Sequence, residues 1–386
     1  MNFASPLPSL AIFVECLALG WVVVAVSPFF RLRLTEAGNG RFEGVDGLRG
    51  FLALGVFLSH VVAFYFYYTK GGWNGMLGVA WGETGQTGVS LFFMITGFLF
   101  WGRVLRSRGN LDAAALYRSR IRRIVPMYIV SVLMVLAVVG VMSGFSLHSS
   151  PMELIRELRG WFSFGFMDSG DINGLKDAHI INPVYWTLAF EWVFYLALPF
   201  LALFARGPAS IFLFLIALAF CMRIPVTLNF LFGALAALAV ERNILEQRLR
   251  PMWMTPVPLA ALMAALSLDF SLSHSALLFV FFIFVVSGNS LFGLLESSPA
   301  KLLGTISYSI YLVHAIVLFV VLRLAENHFG IGTLDAIEYW SLAGLAAALT
   351  VLISAFTYKY VEFPMIQRSA AVSGRSAGRL ERALAS

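Results

Sequence analysis

Apolar runs long enough to cross a bilayer recur along this 386-residue chain, and no other feature constrains its fold as tightly. About eleven can be marked by windowed hydropathy. They fall at roughly 9–30, 48–68, 86–105, 124–143, 183–204, 209–224, 226–240, 254–270, 275–294, 302–324 and 339–360. The expected fold is all-α, a polytopic transmembrane helical bundle. Charged residues make up 12% of the chain, about half the share of a soluble domain. Several runs are short, so tilted or broken helices are expected.

The bases set a direction. If the loops alternate, 21 of the 27 Lys and Arg residues fall on one side. These include Arg31, Arg33, Arg41, Arg103, Arg106, Arg108 and the tail arginines, against Lys70, Arg156, Arg159, Lys176, Arg223 and Arg323 opposite. By the positive-inside rule the C-terminus is cytoplasmic, and eleven spans place the N-terminus outside. The first span has no basic residue before it, so it reads as a retained helix rather than a signal peptide. The outside loop 144–182 is acidic and too short for a separate catalytic domain. The net charge of +6 clusters beside apolar spans, which makes nucleic acid an unnatural partner. Cys16 and Cys221 both stand in apolar stretches and support neither a disulfide framework nor a CxxC-type metal site.

Polar residues at membrane depth carry the functional signal. Arg49 and His60 stand in Asp46-Gly-Leu-Arg49-Gly-(nine residues)-His60. At helical rise His60 lies ~16 Å from Arg49, near the midplane of an apolar core ~30 Å thick. Similar estimates put Glu191 ~12 Å from the outer end of its helix and His314 ~17 Å from Leu303. Three ionisable groups at one depth share an interior or a wet cavity rather than face lipid. Each also has a plain structural reading: a buried histidine is often a hydrogen-bonded core residue, and Glu191 neutralises a neighbour. A basic hinge, Tyr117-Arg118-Ser-Arg120-Ile-Arg122-Arg123-Ile-Val-Pro126, is a second feature. On a helix Arg120 and Arg123 share one face, and Arg118 and Arg122 another. Charge alone makes this a topogenic loop, but paired guanidiniums also match phosphates.

These residues form a recognisable series with Gly88-Val-Ser-Leu-Phe-Phe-Met-Ile-Thr-Gly97 and Trp186-Thr-Leu-Ala-Phe-Glu191. Leu303-Gly-Thr-Ile-Ser-Tyr308-Ser-Ile-Tyr311-Leu-Val-His314 and Tyr360-Val-Glu362-Phe-Pro364 complete it. In that order, over about residues 44–366, the series resembles the acyltransferase 3 family of integral-membrane O-acyltransferases. The resemblance implies an acyl-CoA donor, usually acetyl-CoA, and a hydroxyl acceptor on a polysaccharide or lipid-linked glycan. It implies that Arg49 and His60 are essential and that the hinge arginines, Arg118, Arg120, Arg122 and Arg123, serve the donor. The expected location is the bacterial inner membrane.

Two departures stand out. An extra N-terminal helix and basic loop occupy 1–43, ahead of the expected membrane domain at 44–366 and a flexible basic tail at 367–386. No appended SGNH-type esterase domain is expected, so transfer would finish in the membrane domain or on another protein.

The residue chemistry agrees with the resemblance. Acyl transfer to an alcohol needs a base, and neutral imidazole suits that near pH 7. His60 is the expected base, oriented by Glu191, with His314 nearby; an acyl-imidazole route stays open. No nucleophile elbow or metal-ligand cluster appears in the sequence. The rival is a proton-coupled transporter in which His60, Glu191 and His314 form a relay, although no internal repeat supports it.

Overall fold

The computed structural model describes residues 6–37, 42–72, 83–205, 209–242 and 246–367. Arg41, Arg206 and the expected tail beyond Gln367 lie outside the described residues. Among the described residues fifteen α-helices follow in order: α1 Leu7–Val26, α2 Pro28–Ala37, α3 Glu43–Lys70, α4 Glu83–Arg106, α5 Ala113–Met142. Next come α6 Pro151–Trp161, α7 Trp186–Leu203, α8 Ala209–Arg223, α9 Leu228–Glu241 and α10 Glu246–Leu249. The last are α11 Pro256–Leu266, α12 Leu272–Val286, α13 Ser298–Thr305, α14 Ser307–His328 and α15 Ala336–Thr357. A π-helical turn, Tyr358–Glu362, extends α15. Among the described residues there is no strand, only an isolated bridge between Ile172 and Leu175. The fold is an all-α polytopic bundle.

Among the described residues, seven helices are long and apolar enough to cross a membrane: α1, α3, α4, α5, α7, α14 and α15 with its extension to Gln367. Shorter apolar helices, Phe214–Arg223, Pro225–Glu241, Met252–Leu266 and Leu272–Val286, occupy the other four expected runs. At 1.5 Å per residue none of these alone reaches ~30 Å.

Local chemistry moves several boundaries. The first run stops at Val26, because Pro28 opens a separate helix with no N–H to continue the ladder. The run expected at 275–294 stops at Val286, just before Gly288 at φ +95°. The run expected at 302–324 is two helices, broken at Ile306.

That break has a packing cause. A Cβ on Gly304 would fall onto the Asp46 carbonyl of α3, and one on Gly47 onto the Leu295 carbonyl. One on Gly50 would press on Leu303. Two backbones therefore touch where α13 crosses α3, which small residues permit in membranes. The crossing fixes Arg49 between two contact glycines and starts α14 beside it. A second crossing is reciprocal: Gly97 of α4 lies against the Phe230 carbonyl of α9, and Gly233 of α9 against the Met94 carbonyl.

With these supports α3, α4 and α14 form the centre of the bundle, buried along most of their length. Hydrogen bonds then set the rotation of α14. Ser131 of α5 and Asn182 both donate to the Leu312 carbonyl at 2.8 Å, and Tyr308 donates to the Ile124 carbonyl at 2.9 Å. Gly304→Ala is expected to destabilise the protein by about 1–3 kcal/mol, as overpacking does. Thermal unfolding in detergent checks this: a lower midpoint is expected, and a wild-type midpoint would show that the crossing has room for a methyl group.

Candidate active site

His60 and His314 meet where α3 and α14 pass each other. Their ring centroids are 5.0 Å apart, and His60 Nδ1 lies 3.1 Å from His314 Nε2. His314 is fully buried, whereas His60 is only partly so. The backbone around His60 is pinned on both sides. Thr84 donates to the Gly55 carbonyl at 2.8 Å, and Tyr339 to the Val61 carbonyl at 2.5 Å.

The partners of the pair fix its protons. His314 Nδ1 faces two carbonyls, Ile310 at 3.1 Å and Tyr311 at 2.9 Å. A carbonyl only accepts, so Nδ1 carries the hydrogen and, in the neutral ring, Nε2 has the lone pair. His60 Nδ1 faces that lone pair and also the Val56 carbonyl at 2.9 Å. It must therefore be the donor to both. The basic nitrogen of His60 is then Nε2, on the far side of the ring from His314. Two imidazoles and three backbone carbonyls thus hold one tautomer, as an orienting group holds a catalytic histidine.

Glu191 does not partner His60. It lies beside Tyr195, whose hydroxyl stands at a long 3.5 Å. The cations acting on it are Arg120, Arg49 and Arg123, in falling order. Depth along a helix does not set the direction a side chain faces, and Glu191 turns toward the arginines.

The hinge arginines divide. Arg120 packs its guanidinium 4.9 Å from the Phe100 ring centroid and 5.8 Å from that of Tyr195, a cation–π pocket on the inner side of α5. Arg123 shares the field of Arg49, Glu191 and Glu362. Arg118 is exposed and donates to Ala114 on its own helix at 3.2 Å, and Arg122 is part-buried.

A buried carboxylate outside the expected set, Glu362, joins this cluster from the π turn. Ser309 of α14 donates to it, and Thr357 donates to Ser309 at 3.0 Å. Its signal was the Tyr-Val-Glu-Phe-Pro motif, which by position reads as a helix end. Ser309 and Thr357 carried no signal.

A cavity of about 60 Å³ lies between the two groups, bounded by Arg49, Glu191, Thr187, Ser307, Tyr308 and Tyr311. That volume holds about two waters. Tyr311 forms the wall toward the histidines: its ring centroid is 6.1 Å from that of His314, and its hydroxyl bonds Thr187 at 2.9 Å. A larger groove of about 690 Å³ between α1 and α15 contains Glu15 but no histidine or arginine. Size favours the groove; chemistry favours the cavity, which is lined by Arg49 and Glu191 and separated from His314 by Tyr311. Among the described residues no three His, Cys, Asp or Glu gather at metal-binding distance.

Comparison with known proteins gives this arrangement a context. Residues 42–359 match the family model described as an acyltransferase domain. The chain is 27% identical over 321 residues to "Exopolysaccharide production protein ExoZ" of Rhizobium meliloti (strain 1021), covering 76% of this chain and 94% of that protein. It is 29% identical over 167 residues to "Putative peptidoglycan O-acetyltransferase YrhL" of Bacillus subtilis (strain 168). That match covers 40% of this chain and only 23% of the Bacillus protein. No solved structure matches the chain significantly. The family match spans the glycine crossings, the histidine pair and the inner arginines alike, so the chain belongs to the acyltransferase 3 family and is a membrane acyltransferase.

Proposed function

We propose that this protein moves an acyl group, acetyl in the first instance, from cytoplasmic acyl-CoA to a hydroxyl of a cell-surface or lipid-linked glycan. The observation that carries the reading is the His60–His314 pair, whose hydrogen bonds leave Nε2 as the basic nitrogen of a partly buried ring. The names of the two relatives, one tied to exopolysaccharide and one to peptidoglycan O-acetylation, favour a glycan acceptor.

His60 Nε2 takes the hydroxyl proton as the acceptor oxygen attacks the thioester carbonyl. The carbon–sulfur bond breaks, and the departing thiolate recovers the proton from the imidazolium to leave as free CoA. During that step the His60 Nδ1–H keeps its two acceptors, so the ring does not rotate.

Arg120 and Arg123 are the residues we assign to the CoA phosphates, with Arg49 further in and Glu191 and Glu362 holding the guanidiniums in place. The pattern of bases supports a cytoplasmic mouth for this set. CoA is too polar to cross ~30 Å of hydrocarbon, so only its acyl arm need travel the ~16 Å of α3 between Arg49 and His60. In a proton relay Glu191 would adjoin a histidine; here it stands with the arginines, which disfavours the transporter reading.

Two measurements test this. Inside-out vesicles given external acetyl-CoA should label enclosed acceptor, and right-side-out vesicles should not. In the same assay His60→Ala should lose at least ~10²-fold in rate. Alanine at Arg120 or Arg123 should raise the KM for acetyl-CoA, and lysine should rescue it only partly. Efficient use of external donor by sealed right-side-out vesicles would overturn the orientation, and near-normal transfer by His60→Ala would overturn the mechanism. Separately, His314→Ala should cut kcat by about 10- to 100-fold, the usual cost of losing an orienting partner, with KM little changed. His314→Gln should retain more, because an amide oxygen can accept the His60 hydrogen. A fully active His314→Ala would leave His314 as a packing residue only.

A further inference from the structure

The segment ahead of the family match folds back onto the segment just beyond its other end. A Cβ on Gly20 of α1 would lie 3.4 Å from Pro299, so α1 runs tight against the start of α13. α2 then meets the π turn through three side chains. Phe29 packs edge-on against Phe363 with centroids 4.9 Å apart, and Phe30 lies over Tyr358 at 6.1 Å. The Arg33 guanidinium stands 4.7 Å from the Phe363 centroid. Lys359 reaches back, its Nζ 5.6 Å from the Phe29 ring.

These contacts grip both ends of the turn Tyr358–Glu362, whose last residue is the buried carboxylate held by Ser309. A π turn is rare in isolation and persists where its surroundings hold it. The charges of Arg123 and Arg49 also act on Glu362.

We propose that α2 is a brace that positions Glu362 for the Arg49 and Arg123 guanidiniums, making the extra N-terminal segment part of the donor site. Phe29 and Arg33 are thus positioning residues acting through Glu362. The proposal rests on the donor-site reading above.

The test compares full-length wild type with Phe29→Ala/Arg33→Ala, with Glu362→Gln, and with the three changes combined. Leu32→Ala, on the 60% exposed face of α2, is the control. The brace variant should raise the KM for acetyl-CoA about 3- to 10-fold, the range of one lost aromatic or cation–π contact, with kcat within about twofold. Amide exchange over 358–363 should quicken in the same variant and not in Leu32→Ala. In the Glu362→Gln background the brace changes should add nothing to KM. Arg33→Lys in place of Arg33→Ala should recover part of the loss.

Unchanged exchange over 358–363, or KM effects that simply add to those of Glu362→Gln, would overturn the brace. If Glu362→Gln raises KM and the brace variant does not, the brace falls and the donor-site reading stands. If Glu362→Gln leaves KM unchanged, the brace falls; the donor-site reading falls with it only if alanine at Arg120 and Arg123 also leaves KM unchanged.

Discussion

The hydrogen bond from His60 Nδ1 to His314 Nε2 is the interaction on which the site depends. It exists because α3 and α14 bring single side chains face to face, with His314 fully buried. Its direction is set by carbonyls, which accept and never donate, so the order of protons follows from backbone geometry rather than from a nearby charge. A carboxylate orienting partner would stabilise the imidazolium more strongly. A neutral partner instead adds no net charge to the apolar core, which suits a site where uncompensated charge is costly.

The proposed mechanism separates two tasks around that pair, giving proton transfer to the histidines and anion binding to Arg120, Arg123 and Arg49 with their carboxylates. α14 joins them. Within two turns of one helix, Tyr308 and Leu312 bond α5, Ser309 bonds the π turn, Tyr311 bonds α7 and His314 bonds α3. A rotation of α14 would therefore disturb both tasks together, and Ser131 and Asn182 resist it by holding the Leu312 carbonyl.

Much of this was legible in the sequence. The long apolar runs, the shared interior of His60 and His314, and the shared face of Arg120 and Arg123 follow from rise and periodicity alone. What failed to show was azimuth and tertiary contact. Glu191 has the depth of His60 but not its direction, because each residue turns a helix by about 100°. The break at Ile306 comes from Gly304 meeting Asp46, residues far apart in sequence. Glu362 looked like a helix end because nothing local announces that a π turn, packed from behind by α2, carries it inward.

The tautomer of His60 is the account's central claim, and nitrogen-15 NMR of histidine-labelled protein measures it directly, with His60→Gln and His314→Gln variants assigning the signals. The expected spectrum shows a protonated Nδ1 and a bare Nε2 on His60, and the same arrangement on His314. A His60 ring protonated at Nε2 with a bare Nδ1 would contradict the account, because the nitrogen left basic would then point at His314 instead of toward substrate.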